Sequence, residues 1–308
     1  MLILKRKPFE FIIIFLIAFL NLFWLPTFSF WEIYPKNSLF SKNSSLIQYQ
    51  HPAKIYSKLS QKPELNTQNY ILLDAVTNSI ILSSNPDAKI FPASTTKLIT
   101  ALTALNIYSL DEELTIKEEY KEGKVMELKL GERINIKSLV SALLVYSAND
   151  AAFTLANHHQ HGVSGFLEEM NLIAKKYGLK NTNFTNFDGI HGENHYSTVY
   201  DLSQIARLAI KSPIVLETVK QKNITIEDID KTIKHELIST NELLGVVPEI
   251  EGIKTGWTPE AGGSFIGLIN LNGHYLISVV AQSEDRFTDT KKIIEWAKRN
   301  VFWQPYQP

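Results

Sequence analysis

The sequence predicts a mixed α/β (α+β) domain in which one antiparallel sheet is built from both chain ends and a helical region lies beside it. Three observations carry that prediction. "NYILLDAVTNSIILSSN", from Asn69, holds two short apolar runs around Thr77-Asn78-Ser79 and reads as a β-hairpin. Near the other end, "GGSFIGLINLNGHYLISVVAQ" holds two strands joined by Asn272-Gly273, a dipeptide that tolerates the positive φ of a two-residue hairpin turn. Between these hairpins the apolar residues recur mainly at helical spacing.

Taken in order, the chain opens with Lys5, Arg6 and Lys7 ahead of an apolar stretch over residues 11–30. About 20 residues at 1.5 Å each span roughly 30 Å, the thickness of a bilayer's hydrocarbon core. The basic flank should stay in the cytoplasm and place the rest of the chain outside. Residues 1–31 are therefore read as an anchor in the cytoplasmic membrane. A cleaved signal segment is the alternative, with Thr27 and Ser29 as small residues near a cleavage point, although Phe28, Phe30 and Trp31 crowd it. Residues 32–68 are rich in Ser, Asn, Gln and Lys without a sustained period, which reads as a polar linker. The folded domain is expected over residues 69–303.

Within that domain, "FPASTTKLITALTAL" places Leu98, Ile99, Ala101, Leu102, Ala104 and Leu105 around nearly every side of a helix, so the helix should be buried. A polar, charged stretch follows to Lys129. "IKSLVSALLVYSANDAAFTLANHH" reads as two helical segments meeting at Ser147-Ala148-Asn149. Further helices are expected over residues 165–177 and 198–210, the latter opening at Ser197 or Thr198 as N-cap. Residues 220–234 alternate and leave helix and strand open. Phe287, Ile293, Ile294, Ala297 and Val301 give a closing helix with one apolar face.

Composition removes several functions. The 308 residues are 44% hydrophobic and carry a net charge of −1, from 31 basic and 32 acidic side chains, with no sign of a nucleic-acid-binding surface. The chain has no cysteine, so disulfides, thiolate metal sites and a cysteine nucleophile are excluded. His158, His159 and His161 cluster, but a solvated helix end accounts for them better than a metal site. His195 and Tyr196 read as packing residues, and Trp296, Phe302 and Trp303 as packing against the sheet.

The buried helix begins in an unusual way. Ser94 opens it and Lys97 follows one turn later, although cations are better placed at a helix C-terminus. Burial and the helix dipole both push Lys97 toward its neutral form. Residues three apart share a helix face, so a neutral amine stands beside a hydroxyl, a general base beside a nucleophile. For Ser94 and Lys97 alone, an ordinary N-cap and a snorkelling lysine would suffice.

Two other stretches weigh against that ordinary account. Ser-x-x-Lys occurs once, at Ser94–Lys97, and Lys-Thr-Gly once, at Lys254-Thr255-Gly256, shortly before the last hairpin. Ser-x-Asn is commoner, but Ser147–Asn149 is the copy at a junction between two apolar helical segments. Together these are the signature of serine β-lactamases and penicillin-binding proteins. The chain most closely resembles the D-alanyl-D-alanine carboxypeptidases, low-molecular-mass penicillin-binding proteins of the S11 serine peptidase family. Beyond the motifs, "NFTNFDGIHGENHYSTVYDLSQIARLAI" and "STNELLGVVPEIEGIKTGWTPEAGGSF" match family stretches, and the resemblance runs from about Asn69 to Ser283.

The resemblance implies a five-stranded antiparallel sheet flanked by helices, with an all-helical region. It implies that Ser94 attacks the carbonyl between two D-alanines of a peptidoglycan stem peptide while Lys97 takes its proton. Ser147 would relay a proton to the leaving amine, and Asn149 would hold the substrate amide and the Lys97 amine. Lys254 and Thr255 would receive the substrate's terminal carboxylate, and Gly256 would leave room for substrate along its strand. Backbone N–H groups at Ser94 and Trp257 would form the oxyanion hole. β-Lactam antibiotics would be covalent inhibitors, and the chemistry calls for no cofactor or metal. Two departures stand out. Ala148 replaces a usual glycine, losing its freedom. Many relatives carry a second β-rich domain and a C-terminal amphipathic helix; here the N-terminal anchor is expected to supply the attachment instead. An endopeptidase that cuts cross-links, a β-lactamase and a non-catalytic peptidoglycan-binding protein are the rivals. No Glu-x-x-Leu-Asn segment of the class A β-lactamase kind lies between Asn149 and Lys254.

Overall fold

The computed structural model describes residues 54–57 and 61–304. The proposed anchor at residues 1–31 lies outside them; among the described residues no helix is long and apolar enough to cross a membrane. The strands are β1 (Lys54–Ser57), β2 (Asn69–Asp74), β3 (Ile80–Ser84), β4 (Glu113–Thr115), β5 (Arg133–Asn135), β6 (Asn223–Glu227), β7 (Lys234–Ile238), β8 (Ile250–Thr258), β9 (Gly262–Leu271), β10 (His274–Ser283) and β11 (Val301–Gln304). The helices are α1 (Lys97–Ile107), α2 (Ile136–Val145), α3 (Asn149–Asn157), α4 (Gly162–Lys176), α5 (Val199–Ala209), α6 (Pro213–Val219) and α7 (Arg286–Asn300).

Both expected hairpins form. Asn78 turns β2 into β3 at φ 63°, and Asn272 and Gly273 join β9 to β10 at φ 54° and 88°, a turn that side-chain-bearing residues other than Asn and Asp rarely enter. They combine in one antiparallel sheet of order β3-β2-β10-β9-β8, with β8 at an edge. Successive residues of β2 and β10 serve opposite faces. Ile71, Leu73, Ile277 and Val279 pack with α1 to α6, whereas Tyr70, Leu72, Leu276 and Val280 pack under Ile293, Ile294 and Ala297 of α7. A sheet covered on both faces explains why these strands are almost continuously apolar.

The other elements follow from local chemistry. Thr198 caps α5 by accepting the Asp201 N–H, and Asn135 caps α2 by accepting that of Ser138. The ambiguous residues 220–234 resolve as β6 and its turn into β7, with Asp228 accepting from Thr232 and Ile233. The polar stretch after α1 contains β4 and pairs it with β5.

Three readings need correction. Part of the expected linker belongs to the fold: β1 pairs antiparallel with β11, and residues 61–67 bond to α7 and β10. A sequence without period can still be ordered when its backbone is held by side chains far along the chain. His159 is buried against Phe166 rather than solvated, while His158 bonds the carbonyls of Thr154 and Thr115. Trp296 is buried as expected, but Phe302 is exposed.

Candidate active site

A short 3-10 turn, Ala93–Thr96, leads into α1 and carries Ser94 at the surface end of a buried helix. Lys97 is fully buried, and its Nζ donates to Ser94 Oγ at 3.2 Å. Burial holds its pKa down at about 8, opposed by the negative charges of Asp188 and then Asp150. The amine's second bond goes to the carbonyl of Asp188 at 2.7 Å. That carbonyl takes the place the sequence reading assigned to Asn149.

Gly189 makes this approach feasible. At φ 83° it occupies a left-handed conformation, and any Cβ there would collide with the Ala93 carbonyl. The loop therefore lies flat on the nucleophile turn. Beneath it, His195 Nδ1 accepts the Thr185 N–H, so Nε2 carries the proton and donates to Thr96 Oγ1 at 2.9 Å. Burial holds His195 down at about pKa 4, neutral and structural as expected.

At the second motif the unusual backbone belongs to Ser147, at φ 69°, not to Ala148. Ala148 is at φ −61°, ψ 117°, open to any residue, so loss of the glycine costs nothing there. Asn149 donates its backbone N–H to Lys124 O at 2.7 Å and its Nδ2 to Glu122 O at 2.9 Å. Gly123 fits between because it has no side chain to strike that carboxamide.

The third motif lies on edge strand β8. A Cβ on Gly256 would sit 3.0 Å from the Ser94 nitrogen, so the missing side chain admits the protein's own nucleophile turn against the strand. This close approach brings β8 alongside Ser94. Thr255 Oγ1 meets Thr240 Oγ1 at 2.6 Å, and Thr240 N–H donates to Val145 O at 3.1 Å, which ties the third motif to the second. Trp257 projects at 60% exposure. Lys254 is buried and donates to Thr255 O. Burial lowers its pKa well below normal, aided by the charges of Lys97, Lys124 and Arg286. The sequence reading missed Asp188, Tyr120, Lys124, Thr240 and Arg286. Asp188-Gly189 was a legible turn signal, but nothing marked where Arg286, whose buried Nε lacks a hydrogen-bond partner, would point. Among the described residues no cluster of three or more His, Asp or Glu is arranged to hold a metal.

The sequence profile of the D-alanyl-D-alanine carboxypeptidase family, Peptidase S11, matches residues 56–285. The chain belongs to that family. It is 31% identical over 254 residues to D-alanyl-D-alanine carboxypeptidase DacA of Haemophilus influenzae, covering 77% of this chain and 63% of the relative. The chain thus spans just under two thirds of that relative's length. A D-alanyl-D-alanine carboxypeptidase of a Streptomyces species, strain K15, is 29% identical over 256 residues, covering 76% of this chain and 88% of that one. The crystal structure of the Streptomyces K15 DD-transpeptidase superposes with a TM-score of 0.73 at 29% identity, over 77% of this chain and 98% of that one. The fold is that of the DD-peptidases, with the five-stranded antiparallel sheet that the resemblance implied.

Proposed function

We propose that this protein is a serine-type D-Ala-D-Ala carboxypeptidase of peptidoglycan stem peptides. One observation carries the reading: a fully buried lysine, held at a pKa of about 8, donates to the hydroxyl of Ser94 at 3.2 Å. Ser94 Oγ attacks the carbonyl between two D-alanines as its proton passes to Lys97. The bond to the terminal D-alanine breaks, its nitrogen receives a proton relayed through Ser147, and water then hydrolyses the Ser94 ester. Backbone N–H groups of Ser94 and Trp257 stabilise the oxyanion. Asn149 holds the substrate amide. Lys254 and Thr255 on β8, with Arg286 beside them, receive the terminal carboxylate.

The same ester can also pass to an amine. The likeness to the Streptomyces K15 DD-transpeptidase supports transfer as a second reading, and cutting of cross-links uses the same ester. The domain over residues 69–303, extended by the segment bonded to it upstream, is placed outside the cytoplasmic membrane by the anchor at residues 1–31.

Mass spectrometry with penicillin and with a D-Ala-D-Ala peptide tests the proposal. The protein should gain the mass of one penicillin on the peptide carrying Ser94, and should release one D-alanine from the peptide. Ser94→Ala should gain nothing, and Lys97→Ala should react orders of magnitude more slowly. Rapid release of hydrolysed penicillin would point to a β-lactamase, and no adduct to a non-catalytic binding protein. An added D-amino acid separates transfer from hydrolysis by the mass of the product.

A further inference from the structure

Asp188 stands against the candidate base, yet the reaction above makes no use of its side chain. Its carbonyl bonds Lys97, which any residue at this position could do. Its carboxylate is a separate matter. Oδ1 accepts the Ile190 N–H at 3.1 Å, and Oδ2 accepts the Tyr120 hydroxyl at 2.8 Å. The residue is 2% exposed. Tyr120 is itself fixed, stacked on Phe153 at 4.9 Å and meeting the edge of Phe187 at 5.7 Å. A buried carboxylate is costly to fold around unless a charge or a function compensates. Both of its donors are neutral, while its backbone carbonyl holds Lys97 and its charge favours the Lys97 ammonium more than that of Asp150 does.

We infer that Tyr120 and Asp188 are a positioning pair, with the Asp188 carboxylate stabilising the Lys97 ammonium that forms when Ser94 gives up its proton. The inference rests on the acyl-enzyme reading above. The step balances within the site. The Ser94 O–H bond breaks as Oγ bonds the carbonyl carbon, Lys97 Nζ gains the proton, and that proton later leaves with the departing amine. Burial alone would make Lys97 a poor base, since a desolvated ammonium is unfavourable. A fixed negative charge offsets that penalty, as the carboxylate of a Ser-His-Asp triad does for the imidazolium.

Other charged and titratable groups face this pair. Asp150 on α3 also favours the Lys97 ammonium, but less than Asp188 does. Lys254 on β8 is coupled to Lys97 with opposite sign. His195 is neutral near pH 7. Glu122 also accepts from the Tyr120 hydroxyl, at 3.3 Å.

The test measures the penicillin acylation rate from pH 5.5 to 10 for wild type, Asp188→Asn and Tyr120→Phe. The Lys97 titration is followed in parallel by NMR of 13C-lysine-labelled protein without ligand. Asp188→Asn keeps the carbonyl and the size but removes the charge. Its Lys97 midpoint should fall by about one unit or more, the acid limb of acylation should move down with it, and the high-pH plateau should drop about tenfold. Tyr120→Phe keeps the charge and removes the dipole that partly neutralises it. Its Lys97 midpoint should stay or rise while the plateau falls several-fold. A Lys97 midpoint unmoved in Asp188→Asn overturns the inference even if acylation slows. A fall of equal size in both variants overturns it as well, because general loosening of the site would then account for both. If wild type fails to react with penicillin, the acyl-enzyme reading fails, and the Lys97 titration still decides whether Asp188 acts on the amine.

Discussion

Two buried lysines share this cleft, and burial serves them differently. Lys97 has Asp188 and Asp150 to restore part of its proton affinity, so it titrates at about 8 and works as a base. Lys254 has burial and the charges of Lys97, Lys124 and Arg286 acting on it, and all of them disfavour its charged form. A carboxylate arriving from substrate supplies the missing anion, so binding should favour the charged form of Lys254. A charge-assisted hydrogen bond contributes roughly 1.5–3 kcal/mol, about ten- to a hundred-fold in rate. Lys254→Ala should therefore lose that much kcat/KM on peptides ending in a free carboxylate and much less on the same peptides amidated. Stability should change little, because a lysine whose folded pKa lies below its unfolded value costs the fold free energy at neutral pH. Equal losses on free and amidated peptides would show that Lys254 does not hold the carboxylate.

Around these residues, the strip between Glu122 and Glu132 has little secondary structure of its own and is held by side chains. Asn149 bonds the carbonyls of Glu122 and Lys124, and Asp150 accepts the N–H groups of Met126 and Leu128. From the other side, His235 on β7 faces Met126 O at 2.9 Å and Glu132 Oε1 at 2.8 Å. Two acceptors can both be satisfied only by the doubly protonated ring. Its hydrogen bond to Glu132 accordingly raises the His235 pKa above the ordinary value. A raised folded pKa gives stability that is fully present below the unfolded value near 6.5 and is lost as pH rises through the folded one. His235→Leu leaves Glu132 buried without its partner and should cost about 3 kcal/mol at pH 6. Urea unfolding repeated at pH 9 should show a smaller gap from wild type; a gap that does not shrink would mean the imidazolium is not the clamp. This strip also marks where sequence reading stopped. Hairpins and buried helices were legible because their periods are local. Asn149 was legible as a motif residue, but neither it nor Asp150 was legible as an anchor, because their partners lie more than 20 residues away, in a polar stretch with no period. The Lys-Thr-Gly motif was likewise legible, while the glycine's true neighbour, the Ser94 turn, was not.

At the scale of the whole molecule, the same limit decided where the domain begins. Residue 69 looked like the start because β2 begins there, and β2 is a central strand bonded on both sides, to β3 and to β10. The preceding segment lacks periodicity, yet it closes over α7. Asn66 gives its backbone N–H and its Nδ2 to Asp289 Oδ1 at 2.9 and 3.1 Å, and Thr67 Oγ1 donates to Ala281 O at 2.6 Å. Lys292 and the Trp296 indole reach back to the carbonyls of Glu64 and Gln61. Asp289 is fully buried, and Ser283 is its other side-chain donor. A chain starting at Asn69 would leave that carboxylate underbonded in a dry setting, a loss of about 3 kcal/mol by the usual penalty for a charged group. A chain starting at Lys54 keeps those donors and also β1, which pairs with β11 after α7. The shorter protein should therefore unfold at a distinctly lower urea midpoint with a similar slope, since the surface buried by the core hardly differs. Penicillin acylation at low urea should match between the two, because Ser94, Lys97 and β8 lie on elements that neither truncation touches. Equal midpoints would return the boundary to residue 69 and make residues 61–68 a linker after all.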